Sequence, residues 1–185
     1  MTRCFATIAL VGALFLSGCA ASVNKPTATT AGAQASGPAM AAPSVPITRV
    51  AVLIQAAPSM QASKDWQTFR AEWRTAFEAS ASAAGLGFAY FEAEPPRQPP
   101  GTALVRITVN DYRYLTSGAR YGFGILTGNA YIDASAEFVE LPSKRRLGSG
   151  QYTTSSSAWQ GIFSAMTDKQ VAALSNEIVQ DIRRR

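Results

Sequence analysis

The amino-acid sequence predicts an α/β fold of the α+β kind: a single mixed sheet of about five strands, in chain order β-α-β-β-β-β-α, with two helices on one face. Three observations carry this expectation. Apolar residues recur at helical spacing in two separated stretches, residues 64 to 84 and the chain from 167 onward. The segments around them are continuously apolar or strictly alternating, the two patterns that strands show. Gly and Pro clusters, Gly85-Leu86-Gly87 and PPRQPP, mark where the period changes.

Taken in order, the folded part is expected to begin near Ile47. ITRVAVLIQ is β-branched and almost unbroken in its apolar character, as a central strand is. After Ala57-Pro58, Trp66, Phe69, Trp73, Phe77 and Ala84 fall on one helical stripe, with Arg70, Glu72, Arg74 and Glu78 beside or opposite it. Gly85 and Gly87 end the helix, and LGFAYFEAE supplies the second strand. A strand, a helix and a strand in sequence predict a right-handed crossover and parallel pairing.

The pattern then alternates. In ALVRITVNDYRYL, Val105, Ile107 and Val109 point to the core, and Arg106, Thr108, Asn110 and Tyr112 point outward, which leaves Asp111 on the inner side. In NAYIDASAEFVEL, Ile132, Ala134, Ala136 and Phe138 are the buried set. Antiparallel pairing with both apolar sets on one face requires opposing residue numbers to sum to an odd value, and a hairpin centred near Tyr121 gives about 243. Arg106 then faces Glu137, Asn110 faces Asp133, and Tyr112 faces Tyr131.

A short fifth strand, about Leu147 to Thr154, follows the turn LPSKRR. The final helix has Thr167 as its cap, Gln170 completing a T-x-x-Q capping box, and Met166 placed to meet Val171 as a staple. Val171, Leu174, Ile178 and Ile182 form its buried stripe, and Arg183 to Arg185 suit the negative end of its dipole.

The N-terminus reads as an address. Phe5 to Leu16 would make about 18 Å of helix, against a hydrocarbon core of about 30 Å, so this run is too short to span. Arg3, a short apolar stretch and the small residues before position 19 are the layout of an export signal. The following LSGC, Leu16 to Cys19, resembles the lipobox of bacterial lipoproteins. That resemblance implies a lipid on the Cys19 thiol and cleavage after Gly18, and Ala20 behind the cysteine leans toward the outer membrane. Two or more acyl chains hold a protein stably at a membrane surface without spanning it. Residues 20 to 46 hold nine Ala, four Pro and one charge, Lys25. Such a stretch cannot bury enough apolar surface to offset its ordering entropy, so it is expected to be a disordered tether. The domain scheme is therefore a signal peptide over 1–18, a lipidated cysteine and tether over 19–46, and one globular domain over 47–185.

Composition narrows the chemistry. The 185 residues hold no histidine, which removes the commonest general base, the commonest metal ligand and the usual activator of a nucleophilic Ser or Cys. Of the two cysteines, Cys4 lies inside the signal run, so the mature chain keeps one and forms no internal disulfide. The formal charge of +5 is mild. RYGFGILTGNAY carries Gly122, Gly124 and Gly128, but the G-x-G-x-x-G spacing is not met and a strand follows instead of a helix, so no nucleotide is expected. This loop is either a glycine-bearing hairpin end or an arm that carries Tyr121 and Phe123 to a partner. Likewise Trp159 with Ile162 and Phe163 is either a plug at the sheet edge or an exposed patch. Asp133 and Glu137 share a strand face but stand about 13 Å apart, too far for paired catalytic acids.

The runs DYRYLTSGARYGFGILTGNAYIDA and SSAWQGIFSAMTDKQVAALSNEIVQDI resemble small uncharacterised proteobacterial lipoproteins that carry a domain of unknown function. Such domains are similar in outline to the periplasmic α/β domains of the curli secretion lipoprotein and the Tol-system propeller protein. The resemblance implies an envelope role and brings no catalytic residues. The expectation is a lipoprotein anchored through Cys19 on the periplasmic side of the outer membrane. It is non-catalytic, uses no cofactor, metal or nucleic acid, and binds an envelope protein through Tyr112, Tyr121, Phe123, Tyr131 and Trp159. The alternative is a peptidoglycan- or glycan-binding, weakly carbohydrate-active domain built on Tyr112, Tyr114, Tyr121 and Tyr131.

Overall fold

The computed structural model describes residues 23–24, 40–114, 130–155 and 167–184. The elements are β1 (Val23–Asn24), β2 (Arg49–Ala56), α1 (Pro58–Gln61), α2 (Trp66–Ala83), β3 (Gly87–Phe91), β4 (Thr102–Arg113), β5 (Tyr131–Leu141), β6 (Arg145–Ser155) and α3 (Thr167–Arg183). They build one mixed sheet in the order β1-β6-β5-β4-β2-β3. The α+β architecture is the expected one: five full strands, with both long helices packed into one apolar cluster on the same sheet face. The two-residue β1 and the one-turn α1 are additions.

The sheet divides at β4. β2 pairs in parallel with β3 on one side and β4 on the other, which places the apolar run VAVLI at the centre of the parallel part. β4, β5 and β6 then run antiparallel. The connection from β3 to β4 passes over the face opposite the helices, where Arg106 Nη2 of β4 donates to Glu94 Oε1 at 2.6 Å. Beneath this connection Ala51, Leu53, Leu104, Val139 and Leu141 form a second, smaller apolar cluster, joined by Phe91.

Helix α2 buries Trp66, Phe69, Trp73 and Phe77 as the spacing anticipates, while its last fully buried position is Ala81 and the expected Ala84 is a half-buried C-cap. The rings pack on one another, with centroids 6.1 Å apart for Phe69–Trp73 and 5.6 Å for Trp73–Phe77. Full burial of each such side chain contributes about 1.5–3 kcal/mol. Helix α3 buries Val171, Leu174, Ile178 and Ile182 as expected. Its capping box does not form. Gln170 Nε2 donates to the carbonyl of Ala130 at 2.9 Å, and Gln170 Oε1, which a capping box would use, is buried without a partner. The side chain is recruited to fasten α3 to the start of β5, a tertiary contact that overrides the local motif.

The β4–β5 register agrees with the alternation from Thr102↔Leu141 through Arg106↔Glu137 to Val109↔Ala134. Beyond Val109 a β-bulge inserts one residue, so the pairs become Asp111↔Asp133, Tyr112↔Ile132 and Arg113↔Tyr131. The expected pairings of Asn110 with Asp133 and of Tyr112 with Tyr131 are therefore displaced by one position. A one-residue shift exchanges the two faces for every side chain that follows.

Packing against the domain extends upstream of Ile47. The Ala41 N–H donates to the Leu147 carbonyl at 2.6 Å, Met40 joins the main apolar cluster, and the Thr48 N–H donates to the Gly101 carbonyl at 2.9 Å. Residues 40–48 thus form a strap that crosses the end of the sheet from β6 to β2. Gly101 is required where the strap lies closest. Its φ is +78°, and a Cβ there would stand 2.9 Å from the Pro46 carbonyl oxygen.

Candidate interaction surfaces

The bulge decides where the tyrosines go. Tyr112, expected on the outer face, turns to the helix side and stacks on Phe69 with ring centroids 4.2 Å apart and planes 2° from parallel. Its hydroxyl and that of Ser63 share a hydrogen bond of 2.8 Å. Tyr114 follows on the same side, edge-on to Phe69, and donates to Glu72 Oε1 at 2.6 Å. The second Glu72 oxygen is buried without a partner. Burial pushes the Glu72 carboxyl above the usual carboxylate range, the Tyr114 bond opposes this, and the nearby Asp168 charge adds to the rise. Burial and the Glu72 acceptor push Tyr114 upward in turn. These two tyrosines hold α2 to the end of β4.

The same shift moves Asp111 outward, onto the face where the alternation had not placed it. There the Tyr131 hydroxyl donates to Asp111 Oδ2 at 2.8 Å, and Asn110 Nδ2 donates to Asp133 Oδ1 at 3.3 Å. Tyr131 is 36% exposed, and its phenol is pushed upward chiefly by the Asp111 acceptor, so it stays a neutral donor. Further along this face Arg106 joins two carboxylates, Glu94 at 2.6 Å and Glu137 at 3.1 Å, and Arg146 approaches Glu137 at 3.3 Å. From Arg106 to Asp111 on β4 and over the facing stretch of β5, beyond the smaller apolar cluster, the face away from the helices is therefore an open ladder of polar cross-strand pairs. Among the described residues no group of three His, Cys, Asp or Glu is placed to hold a metal ion.

A second surface lies at the sheet end crossed by the strap. A groove of about 530 Å³ opens there between Ser44 and Val45 of the strap, the β3–β4 connection from Glu94 to Pro100, and the β5–β6 turn from Glu140 to Lys144. One wall is locked by Glu140, which is 2% exposed. Its Oε1 accepts from the Ser44 N–H and hydroxyl, each at 2.6 Å. Its Oε2 accepts from Arg145 Nε at 3.0 Å and Nη2 at 2.7 Å. The Ser44 hydroxyl, with Arg145, holds the Glu140 carboxyl below the usual carboxylate range against the effect of burial. No sequence expectation pointed to this groove, because its walls come from three segments far apart in the chain. The PPRQPP run, read only as a strand terminator, was the available signal.

Of the residues expected to meet a partner, Tyr131 lies on the open face and Tyr112 within the helix-side packing. Cys19, Tyr121, Phe123 and Trp159 lie outside the described residues. Among the described residues no helix is long and apolar enough to cross a membrane.

The architecture is that of a single-sheet α+β domain. No family model and no curated protein matches the chain. Among solved structures it is similar to the PelC dodecamer from Paraburkholderia phytofirmans, at 14% identity over 89% of this chain and 98% of that one, with a TM-score of 0.49. It is also similar to a DUF330 protein from Xanthomonas campestris, at 14% identity over 79% of this chain and 95% of that one, with a TM-score of 0.47. These likenesses concern the path of the chain, and no residue role follows from them.

Proposed function

We propose that this protein is a lipoprotein, anchored through Cys19 at the periplasmic face of the outer membrane, whose domain works by binding a protein of an envelope assembly and carries out no catalysis. The observation that carries the binding reading is the open polar face of β4 to β6, where Tyr131 stands 36% exposed beside the Asp111 and Asp133 carboxylates and the Arg106–Glu137 pair lies further along the strands. Such a face offers oriented donors and acceptors to a partner without a cleft that would enclose a small substrate. The anchor rests on the LSGC sequence behind its short apolar run. The glycan reading loses support, since Tyr112 and Tyr114 are engaged by Phe69 and Glu72. Tyr131 remains its one described candidate.

Two measurements test this. Cys19→Ser should abolish incorporation of radioactive palmitate and leave the precursor uncut, whereas continued labelling would refute the anchor. A photo-crosslinking residue at Tyr131 or Tyr121 of the full chain in cells should give a discrete protein adduct. Absence of any adduct, together with retention of the chain on purified peptidoglycan, would replace the protein partner with a glycan.

A further inference from the structure

We propose that the groove beneath the strap binds an extended acidic peptide segment of a partner protein. This deepens the binding reading above by naming the chemistry of the partner, and it uses a surface separate from the open face.

The charges in the groove are unequally committed. Glu140 is neutralised by Arg145 and Ser44, and Glu94 by Arg106. Arg97 and Lys144, which also line the groove, are exposed and have no carboxylate partner among the described residues. Because Arg106 and Arg146 together serve Glu94 and Glu137, and Arg145 serves Glu140, these two cations are a local surplus, and the complementary occupant is anionic. Lys144 holds φ at +58°, in the left-handed region that residues other than Gly, Asn and Asp seldom adopt. A tight turn at this position favours glycine, yet a side chain with an ammonium group stands there at the groove.

The floor selects among anions. It is formed by Val45, Pro95, Pro96, Pro100, Leu141 and Pro142, which are aliphatic throughout. Nucleobases stack on aromatic planes, and sugar rings pack on them in the same way; this groove has none. A flat lipid surface cannot enter a concavity of about 530 Å³, which lies within the range that holds a few side chains. An extended peptide meets both conditions. Its apolar side chains rest on the proline floor while flanking Asp or Glu carboxylates reach Arg97 and Lys144.

The test is selection of random dodecapeptides displayed on phage against the immobilised full chain, followed by fluorescence anisotropy with the enriched peptides. Enriched peptides should carry two or more Asp or Glu around an apolar residue and should weaken as NaCl is raised. Arg97→Glu combined with Lys144→Glu should weaken them about tenfold or more. Lys144→Gly, which suits the backbone angle and keeps the fold, should also weaken binding, and Arg113→Glu at the far end of β4 should leave it unchanged. Enrichment without acidic residues, or equal binding by the double variant, overturns the proposal. So does the absence of acidic peptides while the double variant loses adsorption to phosphatidylglycerol vesicles, an outcome that assigns the cations to a membrane. Crosslinks from Tyr131 report on the open face independently, so failure here and failure there are separable.

Discussion

At the scale of single residues, Glu140 is a buried carboxylate held by four hydrogen bonds. A carboxylate whose folded pKa is depressed contributes stability above its unfolded pKa, and that contribution is lost as pH falls through the folded value. Glu140 is depressed from 4.5 by Ser44 and Arg145, so its stabilisation is complete at neutral pH and disappears in the acid range below about 4.5. Glu140→Gln should lower the unfolding free energy at pH 7 by about 1–3 kcal/mol, because two charge-assisted bonds from Arg145 are weakened at a buried position. Urea unfolding at pH 7 and at a series of lower values checks this: the variant should differ from the parent clearly at pH 7, and the difference should shrink as pH falls below 4.5. A deficit that stays equal at every pH would show that the loss comes from packing and not from the charge.

At the scale of elements, the instructive case is the end of β4. The alternation of ALVRITV reads the register correctly up to Val109, since apolar and polar residues mark the two faces without ambiguity. It fails at the next position because Asn110 and Asp111 are both polar, and a polar pair hides an inserted residue. Nothing in the local pattern distinguishes a bulge from continued alternation. Only the presence of Phe69 and Trp66 on α2, which attract the Tyr112 ring, decides the outcome. The capping box of α3 fails for a related reason, since the Gln170 side chain turns its amide N–H to the Ala130 carbonyl, which leaves Oε1 without the first-turn N–H that a capping box supplies. The two long helices and the parallel strands were legible because burial alone sets their patterns. Deleting Asn110 should remove the bulge and leave Asp111 outward with Tyr112 and Tyr114 still on the helix side, because the extra residue is the one removed. Tyr112→Ala, which deletes the ring stacked on Phe69, should cost about 1.5–3 kcal/mol in a denaturant melt. A variant as stable as the parent would show that the stack adds nothing.

At the scale of the whole molecule, what escaped the sequence was assembly across distance. The groove joins residues near 45, 97 and 143, and no window of the chain contains more than one wall. The strap escaped because composition argues against order in residues 20 to 46, and composition cannot see the Leu147 carbonyl or the Glu140 carboxylate that receive residues 41 and 44. Truncation distinguishes the two halves of that segment. A chain beginning at Met40 should unfold cooperatively with a midpoint near that of one beginning at Ala20. One beginning at Ile47 should lose about 2–4 kcal/mol through the exposed end of the main cluster and the loss of both Ser44 bonds to Glu140 Oε1. Equal stability of the two would mean that the strap adds nothing to the domain.

The strap also has a mechanical meaning. A load applied through the N-terminus does not reach the sheet core directly. It first meets the two-residue pairing of β1 on β6, and then the bonds of Ala41 and Ser44 to Leu147 and Glu140. These lie across the strand ends, so they can peel one after another while the long ladders between β2, β4, β5 and β6 stay intact. Tension on the N-terminal segment would therefore be absorbed by releasing residues 40–48 before it could unfold the domain. The groove beneath the strap would lose its Ser44–Val45 wall early in that process, which makes its shape responsive to pull.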